Sequence, residues 1–297
     1  MELNEKYSLK KELRHGNSSK FGRTFSGISK FTGEPVILKF VVKNNDVSTG
    51  AKQLKNESLF NFQFEGLPTI IDYFESDNEC ILVRNFQTGE ILSTYWKTLS
   101  RMERIPFLIE FLKELNVLFK ELSKHSVVHC DLKPSNILVR KNETGKINVS
   151  LIDFGLSIKT TKNIDRKIIF PLGFAAPELL LNQLGLVDHR TDQFALGITI
   201  WYLLTEQLPL THPNPSIYTN LQLTHPLTDH SLLPKGMYPI LKRMSNKYSF
   251  KTAPNLMTAQ ELITCLKQGI EMRYPSLDDV ISEFENIVST RKKWFKF

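Results

Sequence analysis

The chain is poor in cysteine. Its three, Cys80, Cys130 and Cys265, stand far apart with neither metal-ligand nor redox spacing. That excludes a disulfide framework and fits a reducing cytoplasm. Long apolar runs are missing too. The longest nearly apolar stretch, Phe194 to Leu204, is too short to cross a bilayer, so no transmembrane segment is expected. Met1 to Arg14 is highly charged and lacks the apolar core of a signal peptide. No internal repeat or low-complexity tract interrupts the 297 residues. The excess of positive charge is small, +7, and scattered, with local clusters at Lys10-Lys11 and Arg291-Lys292-Lys293. This describes a solvated surface, and no nucleic-acid partner is expected. The aromatic and basic tail Arg291 to Phe297 is expected to pack its rings on its own domain. With 41% hydrophobic residues, the chain can build one large domain or two lobes around a sizeable core.

What is present is concentrated chemistry. The run His129-Cys130-Asp131-Leu132-Lys133-Pro134-Ser135-Asn136 is followed by Asp153-Phe154-Gly155. Asp131 and Lys133 are two apart, so in an extended segment they point the same way while Leu132 points into the core. Asn136 offers an amide oxygen and Asp153 a carboxylate, a set that suits Mg²⁺ held with help from substrate phosphates. Asp131 is then free to accept a proton from a hydroxyl nucleophile. Between the two motifs, Ile137-Leu138-Val139, the polar turn Asn142-Glu143-Thr144-Gly145 and Ile147 to Ile152 read as a hairpin with the metal ligands at its open ends.

The rest of the chain divides in character. To about Phe86 it is rich in strands: Glu34 to Val42 after the turn Thr32-Gly33, and Cys80 to Val83 after Ser76-Asp77-Asn78, with a helix from about Ala51 to Phe62 between them. Beyond, it is mostly helical. Arg101 to Ser123 carries apolar residues at helical period, among them Leu108, Phe111, Leu112 and Leu115. Thr191 to Leu204 is apolar nearly all round, as a core helix would be. Ser276 with Asp279 resembles a capping box opening a final helix. Thr211 to Gly236, where prolines and histidines accumulate, reads as an irregular connection with one short helix.

The motif run resembles the catalytic loop and the Asp-Phe-Gly motif of the eukaryotic-type protein kinases, and Lys133 two residues after Asp131 resembles their serine/threonine branch. The resemblance implies an α+β, bilobal protein-kinase-like fold: a single kinase domain over 1–297, with an N-lobe to about 86, a hinge at about 85–89 and a C-lobe from 90. It implies ATP and Mg²⁺ as cofactors and a protein substrate with a Ser or Thr acceptor. Val36-Ile37-Leu38-Lys39 then resembles the strand whose lysine holds the α- and β-phosphates, and Glu57, eighteen residues on, the glutamate that orients it. An isolated strand lysine would otherwise be read as solvent-facing. Ala176-Pro177-Glu178 resembles the end of the activation segment, with Arg273 as the partner of Glu178, and Asp192 resembles the helix-start aspartate that braces the catalytic loop.

Departures from the family pattern carry their own expectations. In the phosphate-covering loop Gly22 matches the last glycine, but Asn17 and Ser19 stand at the first two, with Gly16 one residue early. Fewer glycines mean less close approach of backbone N–H groups to phosphate. Arg84 stands where the family has an apolar or hydroxyl residue, and either reaches outward or pairs with an acid. Pro171 falls near the threonine that usually contacts the catalytic pair. Cys130 replaces the usual arginine, so a phosphate on Thr160 or Thr161 has less to pair with unless Arg166 or Lys167 substitutes. Activation-segment phosphorylation is therefore expected to be dispensable, with the segment held by Ile168, Ile169 and Phe170 or by a regulatory protein partner. The alternative reading is a pseudokinase, a nucleotide-binding or docking module, supported by the degenerate glycine loop. A kinase of small molecules or lipids is disfavoured by Lys133 and by Ala176-Pro177-Glu178.

Overall fold

The computed structural model describes residues 3–14, 22–43, 49–161, 168, 170–248, 250 and 252–294, without the side chains of Arg14 and 288–294. Gly16, Asn17 and Ser19 of the glycine-poor loop, Arg166, Lys167 and Ile169 of the activation segment, and the side chains of the basic tail lie outside the described residues. The chain forms two compact units. Met1–Gly89 and Ser150–Ser157 make the first, Glu90–Val149 and Ile158–Phe297 the second.

The first unit opens with the short helix α1 (Leu3–Lys6), followed by β1 (Tyr7–Arg14), β2 (Arg23–Ser29), β3 (Pro35–Val42), helix α2 (Thr49–Glu57), β4 (Ile70–Glu75) and β5 (Glu79–Asn85). The five strands form one antiparallel sheet in the order β1-β2-β3-β5-β4. The β2–β3 turn depends on Gly33, whose φ of 73° falls in the left-handed region open to glycine. The sheet buries both faces. Tyr7, Val36, Leu38, Ile81 and Val83 pack on one, and Val41, Cys80 and Leu82 meet Leu54 of α2 on the other. That double burial is why Cys80 to Val83 reads as an uninterrupted apolar run rather than an alternating one.

Helix α2 stops at Glu57, five residues before the helical periodicity ends. The backbone N–H groups of Ser58, Leu59 and Phe60 close a final turn on Leu54, Asn56 and Glu57, after which Phe62 bonds the Pro68 carbonyl. The apolar residues that extended the period serve another purpose. Phe60 and Phe62 pack on the ring of Phe154, centroids 6.1 and 5.3 Å away.

The second unit contains β6 (Glu90–Ile91), α3 (Leu92–Thr98), α4 (Arg104–Lys124), β7 (Val127–Val128), a 3-10 turn (Pro134–Asn136), β8 (Ile137–Lys141), β9 (Ile147–Leu151) and β10 (Ile158–Lys159). The last residues of β9 already belong to the first unit. Then follow α5 (Pro177–Leu180), α6 (His189–Thr205), α7 (Pro215–Thr224), α8 (Met237–Met244), α9 (Ala259–Glu271) and α10 (Leu277–Trp294). β8 and β9 form the expected hairpin, closed where the Asn142 N–H meets the Lys146 carbonyl at 2.8 Å, and β6 adds a third strand. In α4 the residues Leu108, Phe111, Leu112, Leu115, Leu118 and Leu122 are buried, the single stripe its sequence specifies. In α6 even Gln193 and Thr199 are buried. Its N-terminus carries a capping box of Asp188 and Thr191, which satisfies backbone N–H groups that burial would otherwise orphan. The Ser276–Asp279 box forms as the sequence suggests, with Ser276 Oγ donating to Asp279 Oδ2 at 2.6 Å. The connection from Thr211 to Gly236 holds one helix, α7. No helix among the described residues is long and apolar enough to cross a membrane.

Candidate active site

Each unit contributes one cluster of charged and polar side chains, and together the clusters account for every candidate site residue except Gly22. In the first unit the ammonium of Lys39, in the middle of β3, bonds both carboxylate oxygens of Glu57 at 2.7 and 2.6 Å and Asp153 Oδ1 at 3.2 Å. Glu57, at the last turn of α2, is 2% exposed. Burial pushes its carboxyl up; the Lys39 charge opposes this, Asp153 adds to it, and Arg84 opposes it. Asp153 holds φ at 72°, a left-handed conformation unusual for a residue with a side chain. Its neighbours keep it there. Phe154 is fully buried against Phe60 and Phe62, and a Cβ on Gly155 would stand 3.2 Å from the Gln53 side chain of α2. Strain of this kind persists only where surrounding packing over-determines it.

Asn56 adds a link that sequence reasoning missed. Buried on α2, it donates from Nδ2 to the carbonyls of Gly155 at 3.1 Å and Ser157 at 3.0 Å. Helix α2 is thereby tied to the Asp-Phe-Gly segment by backbone bonds as well as through Lys39. The only sequence signal was an asparagine beside the candidate glutamate. Gly22 lies at the start of β2 with φ of 77°, and a Cβ there would collide with the Phe40 carbonyl oxygen. Glycine at this position is thus required by the close approach of β3, whatever it does for phosphate. Arg84 does not reach outward: it is 4% exposed, and its Nη1 donates to the Asn85 carbonyl at 3.0 Å.

In the second unit Lys133 Nζ bonds the two Asp131 carboxylate oxygens at 3.0 and 2.8 Å. Asn136 Nδ2 donates to the Asp131 carbonyl at 2.9 Å and to its Oδ2 at 2.8 Å. The segment is extended, with Leu132 fully buried, so the two-residue spacing places Asp131 and Lys133 together as expected. The loop is braced from α6. Asp192 accepts from the His129 N–H at 2.7 Å and the Cys130 N–H at 2.8 Å. Burial pushes the Asp192 carboxyl up to about 7, while the two N–H donors favour the anion. Cys130 sits at φ of 62° with its Sγ 3.5 Å from the Val128 carbonyl. Burial holds its thiol well above the usual range, with the Asp192 carboxylate adding to the effect.

The described part of the activation segment is anchored in this unit by hydrogen bonds to backbone groups. Thr160 donates its N–H to the Ser126 carbonyl at 2.9 Å. Asn182, at φ of 52°, accepts from the Ile168 N–H at 2.7 Å and donates to the Ile168 carbonyl at 2.8 Å. Ile168 and Phe170 are buried, as expected, and Pro171 is exposed. Past the segment, Glu178 and Arg273 form a two-bond ion pair at 2.7 and 2.9 Å, both essentially without solvent contact. Asn182 was not foreseen. An asparagine after a short helix is a weak signal, and its partner lies fourteen residues away.

No group of three or more His, Cys, Asp or Glu among the described residues can hold a metal. Mg²⁺ bound with substrate phosphates and water needs few protein oxygens, and the Asp153 carboxylate of the first unit and the Asn136 amide of the second are each of the type it takes. Asn136 fits as the amide donor because its Nδ2 is committed to Asp131. That fixes the amide's orientation and reserves Oδ1 for accepting.

A model of the protein kinase domain matches residues 7–274. The serine/threonine-protein kinase TIO of Arabidopsis thaliana is 28% identical over 206 residues, which cover 67% of this chain and 14% of that protein. The serine/threonine-protein kinase D2 of Rattus norvegicus is 27% identical over 262 residues, 84% of this chain and 29% of that protein. The serine/threonine-protein kinase D of Synechocystis is 28% identical over 230 residues, 69% of this chain and 42% of that protein. The chain thus spans less than half the length of these curated relatives. With the sheet-rich first unit, the helical second unit and a match that covers most of its length, the chain belongs to the protein kinase domain family.

Proposed function

We propose that this chain transfers the γ-phosphoryl group of ATP, with Mg²⁺, to Ser or Thr hydroxyls of protein substrates. The observation that carries the reading is the ammonium of Lys39 bonded at once to Glu57 and Asp153. It is a preset cation whose position is fixed by two carboxylates from different segments of the first unit. Phosphoryl transfer asks little covalent chemistry of a protein; it needs positioning and charge stabilisation. Lys39, oriented by Glu57, holds the α- and β-phosphates. Gly22 belongs to the strand pair that covers them. Asn136 and Asp153 supply the oxygen donors for Mg²⁺, which neutralises phosphate charge when bound. Asp131 accepts the proton of the acceptor hydroxyl, its carboxylate aimed by Asn136. Lys133, now paired with Asp131, places a positive charge where the γ-phosphate develops negative charge. The single kinase domain over 1–297, with a hinge at about 85–89, is part of this reading.

The test is transfer of labelled phosphate from ATP to a generic protein acceptor. Asp131→Asn should lower kcat by roughly 10²–10⁴-fold, the range for a positioned acid–base group. ATP with Mg²⁺ should raise the melting temperature by ligand linkage. Near wild-type transfer by Asp131→Asn would overturn the assignment. Binding without transfer by the wild-type chain would favour the docking-module reading instead.

A further inference from the structure

Arg84 has no role in the chemistry above, yet it is among the most buried charged residues of the first unit. A guanidinium removed from water must be compensated by an anion or a set of acceptors, because the desolvation cost is several kcal/mol. The sheet register shows which anion is in reach. β3 and β5 pair without a bulge, Lys39 opposite Leu82 and Ile37 opposite Arg84. Residues directly opposite share a face, and residues two apart on one strand share it too. Leu82 packs against Leu54 of α2, so this face is the one that α2 covers. Arg84 therefore stands on the same face as Lys39, as its diagonal neighbour at a spacing of roughly 7–8 Å, under the helix that delivers Glu57.

We propose that Arg84 is a positioning residue: its guanidinium shares the Glu57 carboxylate with Lys39, so that α2 stays seated on the sheet even when Lys39 is withdrawn from Glu57. The electrostatics agree, since Arg84 and Lys39 both act to lower the Glu57 carboxyl against its burial. The charges also balance. Lys39 and Arg84 meet Glu57 and Asp153, two cations with two anions. A single lysine would have to choose between holding the helix and moving toward a phosphate. With a second cation on Glu57, Lys39 can turn to phosphate without releasing α2. The seat of α2 is a property of the nucleotide-free protein. Its failure would leave the proposed phosphotransfer untouched, and an inactive enzyme would leave this inference standing.

Hydrogen exchange of the α2 amides, without nucleotide, tests it. Lys39→Met and Arg84→Met should each keep α2 protection close to wild type, whereas Lys39→Met/Arg84→Met should lose roughly a hundredfold, as expected when a buried carboxylate is left with neither cation. Lys39→Met alone exchanging as fast as the double variant would overturn the inference. A second comparison does not need the double variant to fold. Glu57→Gln leaves Lys39 and Arg84 facing Asp153 alone, so adding Arg84→Met should raise the melting temperature above that of Glu57→Gln. A melting temperature at or below that of Glu57→Gln, or no folded protein in either, would overturn it.

Discussion

Replacing Arg273 with Met removes one side of the most buried ion pair among the described residues, and the structure fixes the size of the effect. Arg273 bonds Glu178 through Nη1 at 2.7 Å and Nη2 at 2.9 Å. It also donates to the carbonyls of Asn246 at 3.0 Å and Arg190 at 3.1 Å, and it lies over the Phe194 ring, 4.9 Å from the centroid. Met fills similar volume, so the lost packing is small. The loss is electrostatic. Glu178, with no solvent exposure, would retain only the Thr191 hydroxyl at 2.9 Å. Breaking a buried pair by removing one partner costs about 3–5 kcal/mol, and two carbonyls lose a charged donor as well, so a loss of about 4 kcal/mol is expected. Urea unfolding followed by tryptophan fluorescence reads it, because Trp201 is buried in α6, the helix that carries Thr191 and Phe194. The double variant Glu178→Leu/Arg273→Met should be more stable than Arg273→Met alone, since it leaves no unpaired charge. A loss under about 1 kcal/mol for the single variant, or simple additivity in the double, would refute the reasoning.

Two further outcomes follow from the second unit. Activation-segment phosphorylation should be dispensable: the Thr160→Ala/Thr161→Ala variant and fully dephosphorylated protein should keep wild-type activity. Asn182→Ala, which removes both bonds to Ile168, should lower it; loss of most activity in both the threonine variant and the dephosphorylated protein, the latter restored by phosphorylation at these sites, would show that a phosphate, not Asn182, orders the segment. Lys247 donates to the Gln222 carbonyl at 2.5 Å, and burial pushes its ammonium down to about 7. The folded state therefore gives up this proton earlier than the unfolded chain, which binds it up to about pH 10.5. Stability from this group rises with pH from about 7 to about 10.5 and is flat below. Urea midpoints measured against pH should show that slope in the wild type and lose it in Lys247→Met, and equal slopes would count against the burial argument.

Much of the candidate site's geometry was legible because its residues are local in sequence. Asp131, Lys133 and Asn136 fall within six residues, and an extended segment followed by a tight turn brings them together without help from distant packing. The helix over Arg104–Lys124 and the one over His189–Thr205 were legible for a similar reason: the first buries the single apolar stripe its residues specify, and the second, apolar nearly all round, is buried nearly all round. The end of α2 was not. Whether Phe60 and Phe62 continue a helix or turn onto a ring depends on Phe154, over ninety residues away. The same holds for Asn56 and Asn182, whose bonds go to backbone of distant segments and leave no pattern in the sequence.

Arg84 lies between these cases. By family resemblance alone it is an anomaly, a charge where an apolar side chain belongs. By strand parity it is not. Cys80, Leu82 and Arg84 alternate along β5, and Leu82 is committed to the α2 face by Leu54. Once the register to β3 is known, Lys39 joins the same face, and a buried arginine beside a buried glutamate ceases to be an exception. The missing quantity was the pairing register between two strands some forty residues apart, which the residues of either strand alone do not determine. A one-residue slip would have moved Arg84 to the opposite face, against Tyr7, Val36 and Leu38. On the observed face Arg84 lies with Lys39 under α2, the helix that carries the buried Glu57, so the burial of this charge and the register of the sheet support each other.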